Sequence, residues 1–209
     1  RKNFLSTVVP LLSASSVATN FSSAGFEVDH KVPKYLNKGD IIGITCPSGF
    51  ITMEDIQPAV GKMQEWGFEI LIGNTVGARD FTFAGSDEER AKDFQNMLDD
   101  PSIKAIMLGR GGYGAVRIID DIDFKKFSSK PKWIIGFSDA TVIHSHLNKN
   151  FGIASIHSKM CNSFPADWQL AEQTQIDSIE SIRQCLVVEK INYPETFNVI
   201  TCPVMGEGN

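Results

Sequence analysis

Short apolar runs alternate with segments of helical periodicity through the middle of the chain, from about residue 36 to residue 186. The apolar runs resemble buried strands between turn residues, and they lie at residues 41–46, 68–72, 103–108, 133–135 and 153–156. Helical patterns follow them at residues 52–66, 86–98, 113–119, 139–149 and 168–186. Strands that alternate with helices pair in parallel through right-handed crossovers. The pattern therefore predicts an α/β fold, an open, doubly wound parallel sheet with helices on both faces.

Two of the predicted helices begin with recognisable capping residues. Thr52 precedes a helix whose apolar residues share one face, and that helix is expected to end before Gly67. Ser86 and Glu89 have the spacing of a capping box, in which the side chain of each residue accepts a hydrogen bond from the backbone N–H of the other.

The composition is that of an ordinary globular protein. Of the 209 residues, 42% are apolar and 22% are charged, which provides enough apolar surface for a core. Lys and Arg together number 20 against 25 Asp and Glu, so the net charge of -5 disfavours a nucleic-acid partner. The four cysteines form no C-x-x-C pair and are expected to be buried thiols.

The beginning of the chain has the order of an export signal. Basic Arg1 and Lys2 precede a short apolar run, and small residues stand at Ser16 and Ala18. The run is too short to span a membrane. We expect residues 1–20 to be an export signal, which would place the protein in the periplasm, whereas a disordered or packed arm would leave it cytoplasmic.

Three further segments complete the expected organisation. Residues 21–35 are predicted to be an N-terminal arm, and residues 36–200 an α/β domain that carries the nucleophile. Residues 201–209 read as the start of a linker to a C-terminal domain that is absent from this sequence.

In an open doubly wound sheet, ligands bind beyond the carboxyl ends of the strands. Three loops there carry candidate chemistry, at residues 46–50, 109–114 and 137–139. Residues 109–114 fit G-x-G-x-x-G, a pattern typical of dinucleotide sites. This loop follows the third strand instead of the first, Arg110 occupies its second position, and no acidic residue stands about 20 positions on. Its exposed N–H groups suit a phosphate, a carboxylate or an oxyanion, and a plain turn is the alternative.

Ser138 lies where the fourth predicted strand gives way to a helix. A serine on such a sharp turn presents its hydroxyl above the sheet, as in a nucleophile elbow, and the turn needs small neighbours. Gly136 and Ala140 are small, although Ala140 replaces the second glycine of G-x-S-x-G. The alternative interpretation is that Ser138 or Asp139 is a helix N-cap.

The histidines provide no convincing base. His144 and His146 are two residues apart, so they face different sides of a helix and are expected to be packed or on the surface. His157 follows the fifth apolar run, and His30 lies in the N-terminal segment. No histidine–carboxylate pair stands out, and H-x-H alone is too little for a metal site. We predict neither a metal nor a cofactor.

Several segments in a fixed order carry a family resemblance. They are residues 38–44 (KGDIIGI) and 47–49 (PSG), residues 83–87 (FAGSD) with Arg90, residues 110–114 (RGGYG), residues 131–132 (PK), residues 136–141 (GFSDAT), and residues 156–158 (IHS). Together they resemble the muramoyltetrapeptide LD-carboxypeptidase family, which includes the microcin-immunity peptidases. Ser158 stands where that family has glycine. The resemblance covers about residues 36–160.

The resemblance implies a serine peptidase with a Ser-Glu-His triad that releases the terminal D-alanine of murein tetrapeptides. Ser138 matches its nucleophile, and the backbone N–H groups of Gly112 and Asp139 match its oxyanion hole; Arg110 and Tyr113 are expected to bind substrate. The family carries the triad Glu and His on a C-terminal domain, so we expect this chain alone to be inactive.

The sequence is also compatible with two other functions, and it predicts the kind of partner. The first alternative is a non-catalytic module that binds carboxylate or phosphate, and the second is a Rossmann-type nucleotide-binding enzyme. The expected partner is a murein-derived peptide, with no nucleic acid and no stable membrane span. Whether two copies form a homodimer is left open.

Overall fold

The computed structural model describes residues 31–187 of the chain. The predicted export signal, most of the N-terminal arm and the predicted linker lie outside these residues, as do His30 and Cys202. None of the helices within residues 31–187 is long and apolar enough to cross a membrane.

Five parallel strands form one sheet in the order β2-β1-β3-β4-β5. The strands are β1 (Ile41–Thr45), β2 (Glu69–Ile72), β3 (Ile103–Leu108), β4 (Trp133–Gly136) and β5 (Ile156–His157). The helices are α1 (Met53–Glu65), α2 (Asp87–Asp99), α3 (Ala115–Ile118), α4 (Lys125–Ser129), α5 (Thr141–Phe151) and α6 (Gln173–Val187). Short 3-10 turns lie at Ile119–Asp121, Ser138–Ala140 and Cys161–Ser163. The predicted α/β fold with a parallel sheet is confirmed.

Local sequence accounts for where α1 and α2 begin. Thr52 and Ser86 are the N-caps of α1 and α2, and each accepts a hydrogen bond from the backbone N–H three residues later. Asp55 and Glu89 complete both capping boxes by accepting from the N-cap backbone. These bonds pair donors that have no partner inside the helix.

Two apolar cores cover the two faces of the sheet. Successive side chains of a strand point to opposite faces, and in β3 Met107 belongs to one core whereas Leu108 belongs to the other. The first core contains Ile56 of α1 and Ile182 of α6. The second contains Phe94 of α2, together with residues of α3, α4 and α5. The doubly wound arrangement follows from this division.

Several predicted boundaries are wrong. The helix predicted at residues 139–149 is Thr141–Phe151, because a 3-10 turn occupies Ser138–Ala140. The fifth strand is Ile156–His157 and not residues 153–156, because Ile153 closes the end of α5 by donating its N–H to the carbonyl of Leu147. The last helix begins at residue 173 and not 168, because a turn at Asp167 occupies the intervening chain. The helix after the third strand begins at residue 115, since the glycines extend to residue 114.

The strand order places a crevice between β1 and β3. From β1 the chain crosses to β2 on one side of the sheet and later to β3 on the other, so neighbouring connections diverge at the carboxyl ends of these two strands. Ligands bind at such a switch point in open α/β sheets. The loops that follow β1 and β3 therefore border the expected binding crevice.

Candidate active site

Three loops meet at the carboxyl edge of the sheet, as the sequence predicts. We call them the first loop (residues 46–50), the glycine loop (residues 109–114) and the serine turn (residues 136–140). The backbone N–H of Gly49 donates to the carbonyl oxygen of Gly111 at 3.1 Å, which joins the first two. A Cβ atom on Gly111 would lie 3.3 Å from the Oγ of Ser138, so the glycine loop and the serine turn are in contact.

Ser138 occupies a sharp turn between β4 and α5. Its φ angle of 61° lies in the left-handed region, which is uncommon for a residue other than glycine. A Cβ atom on Gly136 would lie only 2.9 Å from the Cβ of Ala140, so the turn requires glycine at one position and a small residue at the other. The Ser138 side chain is exposed, and no residue within 31–187 forms a hydrogen bond with its hydroxyl.

The helix-cap interpretation of Ser138 and Asp139 is wrong. Neither the 3-10 turn nor α5 begins with a side-chain cap. The Asp139 carboxylate instead reaches two other loops, where its Oδ2 accepts from the Ser48 hydroxyl at 2.5 Å and from the backbone N–H of Ala115 at 2.9 Å. Asp139 thereby ties the serine turn to the first loop and to the start of α3.

Two backbone donors, one in the glycine loop and one in the serine turn, have no acceptor within the described residues. The N–H groups of Gly112 and Asp139 take part in no hydrogen bond with residues 31–187. Gly112 has a φ angle of 123°, a conformation that glycine adopts without strain. Unpaired N–H groups at such positions can hold an oxyanion or a carboxylate.

A buried arginine that the sequence analysis noted only within the resemblance supports these loops from below. The guanidinium of Arg90 is fully buried and donates to the carbonyl oxygens of Pro47 at 2.5 Å, Gly114 at 3.1 Å and Gly85 at 3.3 Å. It also forms an ion pair with Asp87. Burial lowers the pKa of Arg90 and Asp87 opposes that effect. The first loop, the glycine loop and the approach to α2 are thus joined through one side chain.

The pattern of α2 contained a signal for this role. Arg90 lies four residues before Phe94 and seven before Met97, both of which are buried, so it shares their apolar face. A charged residue on a buried helix face needs paired partners. That signal predicts a buried polar contact but does not say which carbonyl groups receive it.

The histidines behave as expected of packed or surface groups. His144 is buried, with Nε2 at 3.0 Å from the carbonyl oxygen of Gly136 and Nδ1 at 2.7 Å from the Ser155 hydroxyl. Burial lowers the pKa of His144. His157 is exposed, and its Nε2 lies 3.4 Å from the hydroxyl of Thr141. No histidine within residues 31–187 forms an ion pair with an acidic residue.

The described cysteines are poor nucleophiles. Burial, with a smaller contribution from Asp93, raises the pKa of Cys46 to about 12. Burial also raises the pKa of Cys161 well above its usual value, and that of the half-buried Cys185. Thiols with raised pKa values stay protonated at neutral pH and do not attack. Ser138 therefore remains the candidate nucleophile that the sequence predicts at this edge.

A cleft opens beside the glycine loop. Its volume is about 270 Å³, and its lining comprises Gly49, Phe50, Arg79, Phe81, Thr82, Arg110, Gly112 and Tyr113. The two residues that the sequence analysis assigns to substrate, Arg110 and Tyr113, both lie here, and Arg79 and Phe81 are additions from the structure. No group of three His, Cys, Asp or Glu in residues 31–187 is placed to hold a metal ion.

These features define a class of protein, an α/β domain with its candidate site at the carboxyl edge of a parallel sheet. The family model described as LD-carboxypeptidase N-terminal domain matches residues 42–158, and the chain belongs to this family. The chain is 32% identical over 138 residues to a probable murein peptide carboxypeptidase of Bacillus subtilis, covering 66% of this chain and 43% of the relative. The chain spans about half the length of the curated relatives it matches.

Two solved structures share the fold. An MccF-like protein from Bacillus anthracis superposes with a TM-score of 0.67 at 25% identity, covering 75% of this chain and 47% of that one. A muramoyltetrapeptide carboxypeptidase from Oxalobacter formigenes gives a TM-score of 0.58 at 30% identity, covering 68% of this chain and 47% of that one.

Proposed function

We propose that this chain supplies the nucleophile and the oxyanion hole of a serine carboxypeptidase that removes the C-terminal D-amino acid from murein tetrapeptides. The observation that carries the proposal is the turn at Ser138, exposed at a φ angle of 61° and in contact with Gly111 of the glycine loop. The next residue along each segment, Gly112 and Asp139, has an unpaired N–H group. Nucleophile elbows hold their serine on a strained strand-to-helix turn of this kind. Membership of a carboxypeptidase family supports the choice of reaction.

In this proposal each group has one step. The Ser138 hydroxyl oxygen attacks the carbonyl carbon of the terminal peptide bond and gives its proton to a general base. The N–H groups of Gly112 and Asp139 stabilise the oxyanion that forms, and losing one such donor costs about 3 kcal/mol of transition-state stabilisation. The protonated base gives its proton to the leaving amine, and water then hydrolyses the acyl-enzyme.

The base in this proposal lies outside residues 31–187. A serine hydroxyl is a weak nucleophile without an adjacent base. His144 is buried and already bonded at both ring nitrogens, and His157 has no carboxylate partner among the described residues. The resemblance to the LD-carboxypeptidases implies a glutamate and a histidine from a second domain.

The names of similar proteins support a murein tetrapeptide as the substrate in this proposal. The relative from Pseudomonas aeruginosa, 26% identical over 149 residues, is named murein tetrapeptide carboxypeptidase. Specificity for a bond between an L-centre and a D-amino acid is part of our proposal. The same unpaired N–H donors would also serve a carboxylate-binding module without catalysis, which is the second candidate.

Dinucleotide binding is disfavoured by the electrostatics of the glycine loop. In a dinucleotide site, the pyrophosphate lies against the N-terminus of the helix that follows the glycines. Here the Asp139 carboxylate already accepts the N–H of Ala115 at the start of α3. A negative charge in this position repels a phosphate, so we do not retain the nucleotide alternative.

A fluorophosphonate probe tests the proposal on the protein expressed from its complete reading frame. We expect wild type to be labelled and Ser138→Ala to lose both the label and the release of D-alanine from murein tetrapeptide. Ser129→Ala, an exposed serine of α4, is the matched control and should be labelled like wild type. Equal labelling of wild type and Ser138→Ala would refute the assignment. Peptide binding without Ser138-dependent release would favour the non-catalytic module.

A further inference from the structure

Two arginines face the cleft beside Gly112 with most of their donors unused. Arg79 donates from Nε to the carbonyl oxygen of Phe81 at 3.1 Å, and Arg110 donates from Nη1 to the carbonyl oxygen of Phe50 at 3.1 Å. A guanidinium carries five N–H donors. Both side chains therefore retain donors that can bind a ligand in the cleft.

Neither arginine forms an ion pair among the described residues, although the charge of Arg110 acts on Asp55 from a longer distance. The ion pairs within residues 31–187 include neither Arg79 nor Arg110, in a chain whose net charge is -5. Arg90 and Arg117, by contrast, both pair with Asp87. Two unpaired guanidinium groups on one cleft of an acidic protein indicate a site for an anion.

Phe50 orders both side chains. The Arg79 guanidinium lies over the ring of Phe50, 5.0 Å from its centre, while the carbonyl oxygen of the same residue accepts from Arg110. The exposed rings of Phe81 and Tyr113 form further walls of the cleft. Planar guanidinium groups bind carboxylates through paired hydrogen bonds.

We propose that Arg79 and Arg110 hold the free α-carboxylate of the substrate's C-terminal residue. The inference rests on the proposed function. In a terminal peptide bond, the carboxylate lies about one residue, or 3.8 Å, beyond the carbonyl that is attacked. The same cleft is lined by Gly112, whose N–H is assigned to that carbonyl, so the two arginines and one proposed oxyanion donor border one cavity.

This subsite accounts for the removal of only the last residue of a peptide, as in an exopeptidase. A substrate that continued beyond the cleaved bond would place a neutral amide against two guanidinium groups. The charged hydrogen bonds of the carboxylate would be lost, and binding would weaken by about 10- to 100-fold. The arginines therefore select the last residue of a peptide.

The test measures binding and release separately on the protein expressed from its complete reading frame. Calorimetry on Ser138→Ala gives the affinities for the murein tetrapeptide and for its C-terminal amide, with Arg79→Gln and Arg110→Gln added singly and together. We expect the acid to bind about 10- to 100-fold more tightly than the amide, and the double substitution to remove this preference. Lys125→Gln removes a charge from exposed α4 and should leave it unchanged.

Each outcome decides one of the two proposals. The subsite is refuted if Ser138→Ala binds the tetrapeptide and its C-terminal amide with equal affinity, or if it binds neither detectably. It is also refuted if the double substitution of Arg79 and Arg110 keeps the preference for the acid over the amide. A preference that depends on the arginines, without Ser138-dependent release of D-alanine by the unsubstituted protein, supports the subsite and refutes the catalytic function. Arg79 and Arg110 are exposed, and unchanged thermal melting checks that the variants fold. The variants Arg79→Lys and Arg110→Lys should restore part of the preference, because they keep the charge without the planar fork.

Discussion

Replacing Arg90 with methionine should separate the loops of the candidate site while keeping most of the side-chain volume. Arg90→Met removes the guanidinium donors that now reach the carbonyl oxygens of Pro47, Gly85 and Gly114. The carbonyl of Gly114 keeps the backbone N–H of Arg117 as a donor. The carbonyls of Pro47 and Gly85, which lie in buried residues, keep none within residues 31–187.

The magnitude follows from these two orphaned carbonyl groups. Leaving a buried acceptor unpaired costs about 1–3 kcal/mol, so the two together cost about 2–6 kcal/mol. The variant no longer has to bury a charged guanidinium, which offsets part of this cost. We expect the free energy of unfolding to fall by about 2–4 kcal/mol. Arg90→Lys keeps a charged donor group but cannot reach all three carbonyls in one plane. Because it still pairs some of them, its loss of stability should be smaller than that of Arg90→Met.

Urea denaturation of the chain measures the effect. Arg117→Gln is the matched control, because Arg117 pairs with the same Asp87 at the surface; its loss of stability should be much smaller than that of Arg90→Met. Arg90→Met should also lower the rate at which a fluorophosphonate labels Ser138 in the complete protein. If the free energy of unfolding of Arg90→Met lies within about 0.5 kcal/mol of that of wild type, the expected cost of two unpaired carbonyl groups is absent and the reasoning is refuted.

Four further outcomes are expected. Gly112→Ala places a side chain at a φ of 123° and should lower D-alanine release by about 100-fold by displacing one oxyanion donor, which steady-state kinetics would show. The purified 209-residue chain should release no D-alanine, whereas the protein from the complete reading frame should. Mass spectrometry of the protein from its native cell should find an N-terminus near Thr19, and an intact N-terminus in a cytosolic fraction would contradict export. Burial lowers the pKa of Lys132 to about 8 in the folded chain, against about 10.5 in the unfolded chain. Between these two pH values the Lys132 amine binds more protons in the unfolded chain than in the folded chain. The free energy of unfolding of wild type should therefore rise from about pH 8 to 10.5 relative to that of Lys132→Met, as denaturation experiments would show.

The fold could be predicted because its determinants are local. The run at Ile103–Leu108 is bounded by turn residues and forms β3 with the predicted limits. Ser86 and Glu89 are three residues apart, and their capping box is present. Parallel pairing then places every strand-to-helix loop at one edge, so the neighbourhood of Ser138 and the glycine loop followed without knowledge of any long-range contact.

The supporting contacts could not be predicted, because they join residues far apart in sequence. Ser48 and Asp139 are 91 positions apart, and Arg90 and Pro47 are 43 apart. Periodicity tells which side of a helix is buried, but it does not identify the polar partner. The short helix α4 was missed for a related reason, since Phe127 is its one buried side chain and gives no repeat.

The backbone of Ser138 has a consequence for the history of such domains. Holding a serine at a φ of 61° costs about 1–2 kcal/mol, which glycine avoids. Selection for thermal stability alone would therefore replace Ser138 by glycine, whereas under the proposed function selection for activity would retain the strained serine. If the proposal is correct, a relative that carries glycine at this position has gained stability and lost the nucleophile in one substitution.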